Sequence, residues 1–191
     1  MSSSCSIRFL VCIAAVAVLA LPYGAARAED VPSLANTARH AVGIEFRHPA
    51  SWKVEEREGD LVLLPPNPNP LGDAPIYRVG VRPKGTLTRP DTPELTAMLD
   101  EQSRRASPHL KRVGGTEVVR LPGTEGVVLT WEGKAPSGLM ERARAYVAIL
   151  GDHLVLLTAR SGRFVLQRHE PVLDAIFATL QARPSTSPFP G

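Results

Sequence analysis

Cysteine is nearly absent from this chain. Its 191 residues include two, Cys5 and Cys12, both near the N-terminus. Beyond Cys12 there is no thiol to form a disulfide, attack a substrate or ligate a metal. Aromatic residues are also scarce, at 5% of the chain with two tryptophans, so Trp52 and Trp131 read as core anchors rather than a stacking surface. A Gly-x-Ser-x-Gly elbow is missing around every serine, which removes the usual esterase signature. Gly133-Lys134-Ala135 lacks the spacing and the hydroxyl of a phosphate-binding loop, and His169-Glu170 has no second histidine one helical turn on. His40 and His48 have no carboxylate at a ligand spacing, and Glu55 to Asp60 lacks the alternating oxygens of a calcium loop. These residues read as structural, and no cofactor or metal is expected.

The first 28 residues carry the strongest positive signal. Arg8 precedes an unbroken apolar run from Phe9 to Leu21, followed by Pro22 and by Ala26-Arg27-Ala28. A charged start, a short apolar stretch and small residues before a cleavage point describe a secretory signal peptide. The run is too short to make a good membrane span; Phe9-Leu10-Val11 before Cys12 lacks the small neighbour of an acylated cysteine, and neither cysteine reads as a lipid-attachment site. Cleavage after Ala28 predicts a periplasmic or secreted product without a stable membrane anchor. It also removes Arg8 and Arg27, leaving 20 basic residues against 19 acidic ones, a net charge of +1. So balanced a chain lacks the concentrated basic footprint that nucleic acid requires. The remaining 163 residues suffice for one domain burying roughly 70% of its unfolded surface.

Residues 29–42 read as a polar lead-in with a helical turn around Leu34 to Arg39. Strands follow at Gly43 to His48 and from Trp52, with Glu58-Gly59-Asp60 turning the chain into Leu61 to Leu64. Five prolines within residues 65–75 exclude helix and sheet interior alike and mark an extended connector. Ile76 to Arg82 alternates Tyr77, Val79 and Val81 against Arg78, Gly80 and Arg82. Asp91-Thr92-Pro93-Glu94 opens a helix whose stripe is Leu95, Met98, Leu99 and Ala106. Strands at Thr116 to Arg120, Gly126 to Trp131, Arg142 to Leu150 and His153 to Ala159 come next, the last two apolar on both faces. Two-sided burial predicts a layer on each side of the sheet. A closing helix reads from Glu170-Pro171 to Leu180, with Pro171 in its first turn, and residues 183–191 read as a disordered tail.

Three segments carry a family resemblance. Phe46-Arg47-His48-Pro49-Ala50-Ser51-Trp52-Lys53-Val54 is similar to the opening hairpin of the PsbP/DcrB-like superfamily. Gly123 to Trp131 with the hairpin Tyr146 to Thr158 resembles its central sheet, and Glu170 to Leu180 its last helix. The superfamily includes the photosystem II extrinsic proteins, bacterial DcrB-like envelope proteins and a nuclear-import factor that binds the GTPase Ran. The resemblance spans roughly residues 43–182 and implies an α+β fold. Its expected form is an α/β/α sandwich with a mostly antiparallel sheet of about six to eight strands and helices on both faces. It implies no catalytic residues, because the superfamily shares none, and its members mostly bind proteins or assist assembly.

The functional expectation is therefore a secreted, non-catalytic domain that binds or helps assemble a protein partner in the bacterial cell envelope. The alternatives are a small-molecule or lipid carrier with a cavity between sheet and helix, and a hydrolase with a dispersed site. Arg78, Arg82, Arg142 and Arg144 each occupy the polar face of a predicted strand. If those strands neighbour one another, the guanidinium groups form a patch suited to an acidic partner.

Overall fold

The computed structural model describes residues 32–66 and 75–183. The segment read as a signal peptide, most of the proline-rich connector and all but the first residue of the tail lie outside these described residues. Two sheets are present. The small one comprises β1 (Asn36–Arg39), β2 (Ile44–His48) and β11 (Gln181–Ala182), with β2 in the middle. The large one has the order β3 (Lys53–Arg57), β4 (Asp60–Leu64), β5 (Ile76–Pro83), β10 (His153–Gly162), β9 (Met140–Leu150), β8 (Thr124–Lys134) and β6 (Lys111–Arg112). The eighth strand, β7 (Glu117–Leu121), also pairs with β8. Every pairing is antiparallel.

Alternation along these strands divides the core in two. Helix α2 (Arg163–Ala178) buries Leu166, Val172, Leu173, Ile176 and Phe177 against Val79, Val128, Tyr146, Ala148, Val155 and Leu157. Each fully buried side chain of this size contributes about 1.5–3 kcal/mol relative to exposure. Helix α1 (Pro93–Ala106) lies on the opposite face, with Leu95 and Leu99 against Val127, Leu129, Trp131, Ala145 and Val147. One helix therefore covers each face of a mostly antiparallel sheet, as the sequence pattern predicts.

Local chemistry explains the element boundaries. The Thr92 hydroxyl accepts from the Leu95 amide at 3.3 Å, with Pro93 and Glu94 in the first turn and Arg104 and Arg105 in the last. Glu58 and Gly59 take positive φ values of 54° and 79° in the β3–β4 hairpin, as the sequence suggests for a glycine-containing turn. At the end of α2 the Thr179 hydroxyl donates to the Ile176 carbonyl at 2.7 Å. It also accepts from the Arg47 amide at 2.8 Å, which ties the helix to β2.

Four sequence expectations are corrected. Asn36 to Arg39 is a strand, not a helical turn, because β2 supplies the ladder that its polar sequence does not advertise. Helix α2 begins at Arg163, so Pro171 lies in its interior, on the exposed side where the missing amide is least costly. Within α1, Leu95 and Leu99 are buried but Met98 is 42% exposed and Ala106 is exposed, so the apolar stripe stops short. The two-residue strands β6 and β11 give no sequence signal and exist through their partners β8 and β2.

Candidate functional site

The two faces of the large sheet differ in how completely they are closed. On the α2 face the charges beneath the helix are paired. Arg142 meets Glu170 through Nε at 2.5 Å and through Nη2 at 3.2 Å, and its Nη1 meets Glu132. Arg144, 6% exposed, has Asp174 at 3.2 Å, Glu170 at 3.3 Å and Glu117 at 3.5 Å, and its guanidinium lies 4.9 Å from the Tyr146 ring centre. The Tyr146 hydroxyl donates to Asp174 at 2.7 Å. Burial raises the Asp174 carboxyl above its ordinary range, against the opposing pull of Tyr146 and Arg144. For Arg142 burial acts against the charge, but the Glu170 and Glu132 carboxylates outweigh it and hold the guanidinium firmly protonated.

The α1 face is not closed in this way, and the cause lies in the helix sequence. The stripe begun by Leu95 and Leu99 continues as Gln102, Ser103 and Ala106, with no large apolar side chain after Leu99. Beneath them, β9 presents Ala143 and Ala145. Small residues on both walls leave a cavity of about 420 Å³ under the C-terminal half of α1, bounded by Leu99, Leu110 and Trp131 on one side and by Ile76 and Arg78 on the other. A second cavity of about 430 Å³ adjoins it, sharing Arg78, Gln102 and Thr158, and reaches Arg82, Leu87, Met98 and Leu156. Volumes of this size are usual for small-molecule sites. Trp131 fixes the helix above the first cavity by donating from Nε1 to Asp100 at 2.8 Å.

Register decides where the four candidate arginines lie. Thr158 pairs with Arg78 on one side and with Ala145 on the other, so Arg78 and Arg82 share the α1 face. Arg142 and Arg144 alternate with Ala143 and Ala145 and point to the α2 face. Strand β10 also separates β5 from β9. The structure thus brings together Arg78 with Arg82, and Arg142 with Arg144, but not the four.

On the α1 face the cations differ in engagement. Arg82 donates to Asp60 at 2.9 Å and to the Val81 carbonyl at 2.8 Å. Arg160 donates twice to Glu141, at 2.8 and 3.2 Å, and His109 lies 2.9 Å from the same carboxylate. Burial tends to raise Glu141, but His109 and Arg160 outweigh it and hold the carboxyl below its ordinary range. Among the described residues Arg78 has only Glu58, at 3.9 Å.

Sequence reasoning singled out Arg78 and Arg82 but missed Gln102, Ser103 and Ser107. Their signal is the failure of the α1 stripe to continue after Leu99, visible only once its floor is known to be Ala143 and Ala145. Among the described residues no three histidine, cysteine, aspartate or glutamate side chains converge as a metal site, and no helix is long and apolar enough to cross a membrane.

No protein-family model matches the chain, and no curated protein matches it in sequence. Solved structures do match. Cyanobacterial PsbP (CyanoP) from Synechocystis sp. PCC 6803 is 15% identical with a TM-score of 0.60, covering 85% of this chain and 99% of that one. LpqN of Mycobacterium tuberculosis, described as involved in cell envelope biogenesis, is 12% identical with a TM-score of 0.59, covering 78% and 90%. A protein from Bacteroides thetaiotaomicron VPI-5482 is 12% identical with a TM-score of 0.52. The match covers 83% of this chain but only 52% of that one, so this chain spans about half its length. The chain thus shares the α+β fold of cyanobacterial PsbP and LpqN, here with an eight-stranded antiparallel sheet.

Proposed function

We propose that the mature chain is an exported, non-catalytic binding domain of the bacterial cell envelope, and that its working surface is the α1 face of the sheet. One observation carries this reading. The α2 face consumes its arginines in internal ion pairs, whereas the α1 face keeps an apolar groove with Arg78 beside it. An apolar recess rimmed by cationic and polar groups is what binding uses and what a merely solvated surface lacks. The signal-peptide pattern supports export, and the shared fold with LpqN, whose description places it in envelope biogenesis, supports the compartment. The preferred occupant is a protein partner with an acidic and apolar docking segment, met by Arg78 and Arg82. Arg142 and Arg144 serve to hold α2.

The test is crosslinking in the native envelope followed by affinity capture. It compares the exported protein with an Arg78→Glu/Met98→Asp variant and with an Arg168→Glu control on the exposed side of α2. One dominant partner, lost in the double variant and kept in the control, is the expected result. A partner retained by the double variant, or lost equally in both, contradicts the assignment of the α1 face.

A second reading, a carrier for a small molecule or lipid, is favoured by a specific observation: small residues on both walls, Ser103 and Ala106 over Ala143 and Ala145, leave a mainly apolar cavity of about 420 Å³ with Arg78 at its edge.

A further inference from the structure

The chemistry around the α1 cavity narrows what it can hold, and the inference rests on the carrier reading of that face. Ser103 and Ser107 line the cavity, but their hydroxyl oxygens have almost no accessible surface and do not open into it. The rest of the wall is mainly apolar, with Leu99, Leu110 and Trp131 at one end and Ala143 and Ala145 below. An occupant must therefore have an apolar body.

Charge selects its head. The ionisable residues lining the two adjoining cavities are Arg78, Arg82, Arg144 and Arg160 against one carboxylate, Asp60. Arg144 is paired on the α2 face, Asp60 is engaged by Arg82, and Glu141 engages Arg160. That leaves Arg78, common to both cavities, with a half-exposed side chain and, among the described residues, a single ion-pair contact to Glu58 at 3.9 Å. This distance is too long for a hydrogen bond, and Glu58 itself is 88% exposed. One uncommitted guanidinium among compensated ones suits a monoanion.

We propose that the cavity between α1 and the sheet binds a carboxylate-headed amphiphile. The head pairs with Arg78 and the body lies over Ala143 and Ala145. Across the sheet Arg78, Thr158 and Ala145 are neighbours in register, about 5 Å from strand to strand. A chain crossing β5, β10 and β9 thus runs from the guanidinium over the alanine floor.

Calorimetric titration of the exported protein with two probes tests this: dodecanoate and dodecylammonium. Dodecanoate should bind and dodecylammonium should not. Arg78→Gln should weaken dodecanoate by about tenfold or more. Thermal melting of each variant verifies that it folds, and Ala145→Gly offers a second reading by enlarging the floor without touching Arg78. It should leave the preference for a carboxylate intact.

Absence of binding by any probe, equal binding of the ammonium, or an Arg78→Gln variant that binds normally would each overturn the proposal. The outcomes also separate this proposal from the reading of the face. A partner lost in Arg78→Glu/Met98→Asp without carboxylate binding keeps the surface and removes the ligand.

Discussion

The Tyr77 hydroxyl stands 2.5 Å from His169 Nδ1, joining the start of β5 to the middle of α2 across 92 residues of sequence. Trp52 stacks on Tyr77 with ring centres 5.6 Å apart and contacts His169 at 5.7 Å. Burial pushes the Tyr77 hydroxyl far above the ordinary phenol range, so it stays protonated beside the imidazole. Burial, and then the Arg168 charge, also lower the His169 value.

A pH dependence follows from that lowering. The unfolded histidine takes up its proton near pH 6.5, whereas the folded one resists until lower pH. Its contribution is therefore fully present above about pH 6.5 and is lost as the pH falls through the folded value. Urea midpoints at about pH 7.5 and about pH 5.5 should fall further for the natural chain than for His169→Gln. Equal falls would show that another group carries the acid sensitivity.

Two glycines mark close approaches that a single methyl group would violate. A Cβ on Gly126 would lie 2.5 Å from the Phe177 ring, and one on Gly133 would lie 2.0 Å from the His109 carbonyl oxygen. Gly126→Ala should destabilise by about 1–3 kcal/mol, because a ring at the helix interface can shift only at the expense of packing. Gly133→Ala should cost more, since the obstacle is backbone that cannot rotate away. Chemical denaturation of both variants orders them, and an unperturbed Gly133→Ala would contradict the crossing of His109 over β8.

The cluster beneath α2 makes a third expectation. Glu170 receives Arg142 at 2.5 and 3.2 Å and lies 3.3 Å from Arg144. Removing its charge leaves two largely buried guanidinium groups short of a counter-ion. Glu170→Gln should therefore destabilise by about 2–4 kcal/mol, measured by urea titration at neutral pH. A loss below about 0.5 kcal/mol would mean that Glu132 and Asp174 suffice.

How much of this was legible in the sequence depends on whether the signal is local. The hairpin at Glu58-Gly59 and the helix start at Thr92-Pro93 are written in turn and cap chemistry, and both are found where that chemistry puts them. The start of α2 is not local in this sense. Phe164 and Val165 are 75% and 40% exposed, so the first turn has no apolar stripe, and Pro171 mimics a helix start. Strand β1 buries only Ala38 and is created by β2. For the candidate site, the alternation of Arg78, Arg82, Arg142 and Arg144 was readable strand by strand. Which face each pair meets depends on the phase of β10 against both neighbours, and a one-residue slip would exchange the faces.

The central claim is that binding occurs on the α1 face, and a photocrosslinking amino acid tests it most directly. Placed at Gln102, above the junction of the two cavities, it should yield one dominant adduct in the native envelope. Placed at the exposed Arg168 on α2, it should yield none. Adducts from position 168 alone, or equal yields from both positions, would contradict the account.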